Sequence, residues 1–147
     1  MKQELLEFCW AHVNQRIERL AKNSAELQES LIAEDKNSTG DKHETGRAML
    51  HLEQEKLSGQ LLEVEQTKEA LKKIDITGKA GTVRMGNLVR TPQARYFLSI
   101  SAGTFKIGAE TIYCISGASP MAQLLLGKKV GDSFEFNGQS HSLLEVL

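Results

Sequence analysis

Proline and cysteine are scarce in this sequence of 147 residues, which contains two of each. No proline occurs before Pro92, so no proline interrupts a long helix in the first half of the chain. The two cysteines, Cys9 and Cys114, lie in segments of different character and have no CxxC spacing, which argues against a disulfide scaffold. We therefore expect both thiols to be buried and inert in a reduced, cytosolic protein.

Long apolar runs and a dominant charge are also missing. No run approaches the ~18 apolar residues that would span a bilayer, and the start, Met1 to Glu4, lacks the apolar core of a signal peptide. The formal net charge is -1, so the composition does not indicate a nucleic-acid binder. A hydrophobic content of 40% and a charged content of 25% are those of a folded, soluble protein. We predict a cytoplasmic protein with no membrane partner.

The sequence before residue 75 predicts two amphipathic helices. Leu, Glu, Lys, Gln and Ala dominate there, and all are strong helix formers. Apolar residues recur at alternating spacings of three and four, which is the pattern of a coiled-coil seam. The seam positions, with their polar interruptions, are Val13, Ile17, Leu20, Ser24, Leu27 and Leu31, then Leu50, Gln54, Leu57, Leu61, Val64, Lys68 and Leu71. Residues 35–41 between the seams are turn formers, which predicts an antiparallel helical hairpin.

The sequence beyond residue 75 changes to the composition of strands and turns. Glycine becomes frequent, and Val, Ile, Thr, Phe and Tyr occur in short runs. We predict strands at 87–91, 94–101, 104–107 and 110–116. Ser119 and Pro120 begin a short helix that Gly127 ends. Residues 133–136 and 142–147 are then expected to form a hairpin across Asn137-Gly138, a strong signal for a tight turn.

These patterns together predict an α+β protein of two domains. The first, at 1–75, is an antiparallel α-helical coiled-coil hairpin with an acidic tip at about 35–45. The second, at 76–147, is a small antiparallel β-domain with one short helix, joined to the hairpin by a linker near 75–81.

The predicted tip gathers carboxylates, among which Asp41 and Glu44 stand out. If the second helix begins near Asp41, these two residues are three positions apart and share a face, with Cβ atoms ~5–6 Å apart. Two such carboxylates suit Mg²⁺, which commonly takes one or two protein carboxylates and completes its shell with water and phosphate. A site of this kind is weak alone and needs a partner to supply the remaining ligands.

The same spacing also fits a helix cap. Asp41 would be the N-cap, and Glu44 would reach back to its amide in a capping box. The two roles are compatible, so both stay open at this point. His43, beside them, is a candidate ligand or acid–base group, although a histidine in a solvated loop commonly has neither role.

Motifs in both halves resemble those of the bacterial GreA/GreB transcript-cleavage factors. The closing strand pair and the residues before it look like the Gre C-terminal domain, which is a small FKBP-like β-domain. Gre factors also carry a coiled-coil hairpin with G-D-x-x-E at its tip. The matching residues are Ser119-Pro120, Leu125, Gly127-Lys128 and Gly131-Asp132 in the second half, and Gly40-Asp41-Lys42-His43-Glu44, preceded by Ile32-Ala33-Glu34, at the tip.

The resemblance implies a function inside another protein's active site. A Gre factor binds bacterial RNA polymerase and inserts its tip into the secondary channel, next to the 3′ end of the nascent RNA. Its two tip carboxylates, here Asp41 and Glu44, then share a Mg²⁺ ion with the polymerase, whose own active site cuts backtracked RNA. The chain itself would be no enzyme, would hold no cofactor stably and would be a monomer.

The sequence departs from the family just after Glu44. The family continues with N-A-E-Y, whereas this chain has Thr45-Gly46-Arg47-Ala48, and its tip loop is one residue longer. Gly46 weakens the start of a helix by up to ~1 kcal/mol relative to alanine. The alternative function is therefore a Gre-like regulator or inhibitor of RNA polymerase without cleavage activity. A third candidate, a prolyl isomerase of FKBP-like fold, is disfavoured because aromatic residues make up 5% of the chain and its second half has no tryptophan.

Overall fold

A computed structural model of the chain describes residues 1–36, 41–78 and 81–147, with the side chains of residues 41–43 also outside the description. Within these ranges the α+β fold class is confirmed, because two long helices precede a β-rich region with one short helix. Helix α1 runs from Lys2 to Lys36, and helix α2 runs from Asp41 to Lys72. None of the described helices is both long and apolar enough to cross a membrane.

The chain divides into two compact units. The β unit comprises Met1–His12 and Lys68–Leu147, and the hairpin unit comprises Val13–Thr67. The start of α1 and the end of α2 therefore belong to the β unit. The domain boundary at 75–76 that the sequence indicates stays a prediction.

The hairpin unit confirms the antiparallel pairing of α1 with α2. Arg16 of α1 forms an ion pair with Glu63 of α2, and Asp35 near the end of α1 pairs with Arg47 near the start of α2. The two helices therefore run in opposite directions. Four predicted seam positions in this unit are buried, namely Val13, Leu20, Leu57 and Val64.

Burial along the seam decreases toward the turn. Val13 and Val64 each expose 1% of their surface, but of the described residues from 21 to 56 none is buried. A cavity of about 70 Å³ lies between the helices, and the polar interruptions Ser24 and Gln54 both line it. Replacing leucine with shorter or polar side chains at these seam positions leaves the helices incompletely packed there.

The β unit contains a five-stranded sheet with the order β3-β4-β2-β1-β7 and a separate two-stranded sheet, β5-β6. The strands and the short helix are β1 Leu88–Arg90, β2 Arg95–Ser99, β3 Gly103–Ile107, β4 Glu110–Ser116, α3 Pro120–Leu125, β5 Ser133–Phe136, β6 Gln139–Ser142 and β7 Glu145–Val146. All neighbours are antiparallel except β2 and β4, which pair in parallel. The sheet is therefore mixed, because β4 inserts between its hairpin partner β3 and the earlier strand β2.

The tight turn at Asn137-Gly138 was predicted correctly, but its second strand was not. Asn137 and Gly138 both have positive φ, at 52° and 76°, as a two-residue hairpin turn of the primed type requires. This short loop pairs Phe136 with Gln139, so the second strand is β6 at Gln139–Ser142. Of the predicted second strand at 142–147, Ser142 does pair with Ser133, but the rest of the prediction was wrong, since β7 pairs with β1 instead.

The two faces of the larger sheet bury different partners. One face packs against α3 and the β5-β6 sheet in a core of Val83, Val89, Leu98, Met121, Ala122, Leu125, Phe134 and Leu143. The other face meets the first turns of α1. There the rings of Phe8 and Phe105 lie 5.3 Å apart edge to face, and Cys9 Sγ lies 3.3 Å from Ser99 Oγ.

Gly86 holds the segment that enters β1 close to the segment that leaves α2. Its φ of +92° is in the left-handed region, and a Cβ at this position would overlap the carbonyl oxygen of Asp75. Glycine is required here for both reasons. Asp75 is itself held by a turn in which its carboxylate accepts hydrogen bonds from the Thr77 hydroxyl and amide, at 2.6 and 2.8 Å. These bonds hold the pKa of Asp75 below its ordinary value.

Candidate functional site at the hairpin tip

The predicted acidic tip lies where α1 ends at Lys36 and α2 begins at Asp41. Because the helix starts at Asp41, this residue and Glu44 are three positions apart on one helix, which is the spacing on which the sequence prediction of a shared face rests. Glu44 is exposed. Gly40 and the side chains of Asp41 and His43 lie outside the described residues, so the metal-ligand and capping roles both stay predictions.

An ion pair closes the hairpin beside the turn. Arg47 Nη1 lies 2.8 Å from Asp35 Oδ1, and both side chains are about half exposed. The pair links the last turn of α1 to the second turn of α2. Exposed ion pairs of this kind contribute ~0.2–1 kcal/mol to the free energy of unfolding. The main effect of the Asp35–Arg47 pair is therefore to set which side chains face each other across the tip.

Gly46 allows a second acidic side chain to approach α2. A Cβ at residue 46 would lie 2.8 Å from Glu34 Oε1, which is closer than real Cβ contacts. The absence of a side chain therefore makes room for the Glu34 carboxylate against the helix. Gly46 departs from the Gre pattern and weakens helix formation, and the end of the flexible Glu34 side chain occupies the space beside it.

The structure thus brings together residues that sequence reasoning did not pair. Glu34 lies against Gly46, and Asp35 pairs with Arg47. The available signal was the antiparallel alignment of the two seams, which places the end of α1 beside the second turn of α2. Among the side chains that the structure describes, no three of His, Cys, Asp or Glu converge as a metal site would require.

The Gre-like residues of the β unit begin with a helix cap. Ser119 precedes α3 in an extended conformation, and its hydroxyl accepts a hydrogen bond from the amide of Ala122 at 3.3 Å. Pro120 occupies the first helical position, where its missing N–H costs no hydrogen bond. Leu125 is fully buried in the core. The predicted cap, proline and apolar face are all confirmed.

The remaining motif residues shape the turn after α3. Gly127 and Gly131 adopt φ of +85° and +95°, which non-glycine residues rarely adopt. The Gly127 amide donates to the Val83 carbonyl at 2.9 Å. Asp132 Oδ2 accepts from the Lys129 amide, also at 2.9 Å. These positions therefore specify the fold of the β unit, and none of these contacts by itself defines a surface for a partner.

No family model matches the sequence, and no curated protein matches it. The chain is similar to the solved structure of the transcription factor Gfh1, with 20% sequence identity and a TM-score of 0.35. That alignment covers 96% of this chain and 92% of the other.

Proposed function

We propose that this protein is a transcription factor of the Gre type that binds bacterial RNA polymerase and places its hairpin tip in the secondary channel. The observation that carries the proposal is the position of the G-D-x-x-E sequence. Its aspartate, Asp41, is the first residue of α2, and its glutamate, Glu44, is exposed in the first turn of the same helix. The residues of the C-terminal Gre motif support it, since they cap and turn the chain around α3.

Cleavage of backtracked RNA is the first form of this function. Asp41 and Glu44 would hold a Mg²⁺ ion together with groups of the polymerase, and the two carboxylates match the small number of protein ligands that this ion takes. When bound, the ion supplies the charge stabilisation of two-metal phosphodiester cleavage. The hairpin would position the two carboxylates. Because Glu44 is exposed, its carboxylate avoids the free-energy cost of burying a charge.

Regulation without cleavage is the second form, and Arg47 is the observation that favours it. Its guanidinium lies within the tip, 2.8 Å from Asp35, at a position where the Gre sequence has an acid. A cation there reduces the negative potential that a shared Mg²⁺ ion requires. A tip of this kind would occupy the channel and slow or bias transcription while leaving the RNA length unchanged.

A stalled, backtracked elongation complex of bacterial RNA polymerase distinguishes the two forms. We expect the purified chain to shorten the RNA, and the double substitution Asp41→Asn with Glu44→Gln to abolish shortening. The matched control is Glu26→Gln with Glu53→Gln, which removes two exposed charges from the same two helices outside the tip.

The outcomes of this assay assign the function. If the tip variant cuts as well as the parent, the metal role of Asp41 and Glu44 is wrong. If the parent leaves the RNA intact but changes the elongation rate, the regulatory form is correct. A chain that neither binds polymerase nor changes transcription contradicts both forms, and acceleration of prolyl isomerisation in a peptide would then support the third candidate.

A further inference from the structure

The fold brings together two cysteines that are far apart in the sequence. Cys9 lies on the part of α1 that belongs to the β unit, and Cys114 lies on β4. Cys9 is fully buried and Cys114 exposes 3% of its surface. Their burial was expected from the sequence, but their proximity was not, since no local spacing connects them.

The register of the sheet explains how the two thiols meet. Cys114 is the parallel partner of Phe97 on β2, so both side chains project from the same face of the sheet. Ser99, two residues after Phe97, projects from that face as well. The Cys9 thiol lies 3.3 Å from the Ser99 hydroxyl, so it contacts the same face of the sheet from which Cys114 projects.

The surroundings of the pair make the two thiols unequal. A hydrogen bond with the Cys114 thiol is the largest influence on Cys9 and lowers its pKa, and hydrogen bonds with Ser99 and the Ile100 backbone act in the same direction against the opposing effect of burial. The pKa of Cys114 is raised by its hydrogen bond with Cys9, by burial and by the charge of the Cys9 thiolate. The Cys9 thiol is therefore the more acidic of the two.

We propose that Cys9 and Cys114 form a redox modification site, which closes to an internal disulfide bond when the protein is exposed to hydrogen peroxide. In the first step the Cys9 thiolate attacks one peroxide oxygen, the O–O bond breaks, and the departing hydroxide takes a proton to become water. Cys9 is then a sulfenic acid. In the second step the Cys114 sulfur attacks the Cys9 sulfur, the S–O bond breaks, and the departing hydroxide leaves as water with the Cys114 proton. Two thiols lose two electrons, and one peroxide becomes two waters.

Burial determines which oxidants can act on this site. A second protein chain or a bulky disulfide cannot reach either thiol in the closed structure, whereas a small peroxide can enter when the first turns of α1 open locally. Cys114 then reacts with the sulfenic acid on Cys9 before a second peroxide oxidises it further.

The disulfide bond that forms links α1 to β4. Reversible bonds of this kind are the form in which disulfides usually occur in the cytosol. The inference does not depend on the proposed polymerase-binding function.

The test uses the full, reduced chain and hydrogen peroxide in small molar excess. Free thiols are counted after denaturation, the intact mass is measured, and the digested protein is mapped without reductant. We expect the count to fall from two thiols per chain to none, the mass to fall by two hydrogens, and a peptide containing Cys9 to be joined to one containing Cys114. The oxidised chain should remain a monomer on a non-reducing gel, and dithiothreitol should restore both thiols.

Variants then separate the roles of the two cysteines. Cys114→Ala removes the resolving thiol and also the largest hydrogen bond that favours the Cys9 thiolate, so a sulfenic acid that dimedone traps should form on Cys9 more slowly and should persist. Cys9→Ala should leave Cys114 unmodified by the same peroxide dose. Ser99→Ala keeps both cysteines and should slow disulfide formation several-fold, because it removes one of the hydrogen bonds that favour the thiolate. Thermal unfolding of each variant checks that it is folded.

Three results on the unaltered chain would overturn the proposal. They are retention of both free thiols under peroxide that oxidises a model dithiol, a disulfide between two chains, and sulfinic acid on Cys9 while Cys114 stays free. Since all three are measured without a substitution, the outcome does not depend on how well a variant folds.

Discussion

The β unit and the hairpin unit are stabilised in different ways. The β unit buries apolar residues on both faces of a sheet, with eight in the cluster around α3 alone. The hairpin unit buries four predicted seam residues, and toward the turn it relies on partly exposed leucines and the surface ion pair of Asp35 with Arg47. Burial contributes ~25 cal/mol per Å² of apolar surface, whereas exposed ion pairs contribute little. We therefore infer that the same type of substitution lowers the free energy of unfolding much more in the β unit than in the hairpin unit.

The largest expected difference comes from one leucine in each unit. Leu125 is fully buried in the β unit, so Leu125→Ala should cost about 2–5 kcal/mol of unfolding free energy. Leu31 is partly exposed on the hairpin seam, so Leu31→Ala removes less buried surface and should cost about 1 kcal/mol. Urea unfolding of both variants measures the two losses. Equal losses would show that the seam near the turn is as well packed as the sheet core.

Two glycines of the β unit separate backbone strain from steric overlap. Gly86→Ala forces a left-handed φ on alanine, at about 1–2 kcal/mol, and also brings a Cβ onto the Asp75 carbonyl oxygen. Gly131→Ala has a similar φ, +95°, with open space around the new atom. We expect Gly86→Ala to cost clearly more than Gly131→Ala in the same urea experiment. Similar costs would mean that the backbone at residue 75 moves away without loss.

Two glycines of α2 test the hairpin unit in the opposite direction. Gly59 has open space around it, so Gly59→Ala should stabilise the helix by up to ~1 kcal/mol. Gly46→Ala gains the same helix propensity but displaces the Glu34 carboxylate, so its net gain should be smaller. Melting temperatures of both variants decide this. An equal gain would indicate that the contact of Glu34 with residue 46 contributes nothing to stability.

The smallest expected effect is the coupling between Asp35 and Arg47. Both side chains are about half exposed, so a double-mutant cycle with Asp35→Ala and Arg47→Ala should give an interaction of ~0.2–1 kcal/mol. Repeating the cycle in 1 M salt, where the Debye length is about 3 Å, should reduce it further. A coupling that salt leaves unchanged would argue that the pair contributes by packing and not by charge.

Local sequence patterns predicted the helices and turns of this fold. They did not predict the contacts between residues that are far apart in the sequence. The seam spacing identified both long helices, and Ser119-Pro120 and Asn137-Gly138 located the short helix and the tight turn. These signals work because capping and turn geometry are decided within a few residues. The parallel pairing of β2 with β4 and the true partner of β7 depend on the order of strands in the sheet, which an alternating pattern does not encode.

The candidate site was predicted in the same uneven way. Asp41 and Glu44 were named from their spacing at the start of a helix, and the start of α2 at Asp41 agrees with that placement. Their function stays a prediction. The contacts of Asp35 with Arg47 and of Glu34 with Gly46 join the ends of two helices, and the meeting of Cys9 with Cys114 joins a helix to a strand. Each needs the tertiary arrangement, which composition and periodicity leave open.

The assignment of residues 1–12 to the β unit has a consequence for the order of folding. On the ribosome these residues are made before the hairpin and the strands, so Phe8 contacts Phe105, and Cys9 contacts Ser99, only after those later segments have been synthesised. The hairpin unit has its contacts between nearer segments and can form earlier. Until the strands are made, Phe8 and Cys9 at the start of α1 therefore remain exposed to solvent. During this interval the apolar side chains at the start of α1 are exposed surface that favours aggregation.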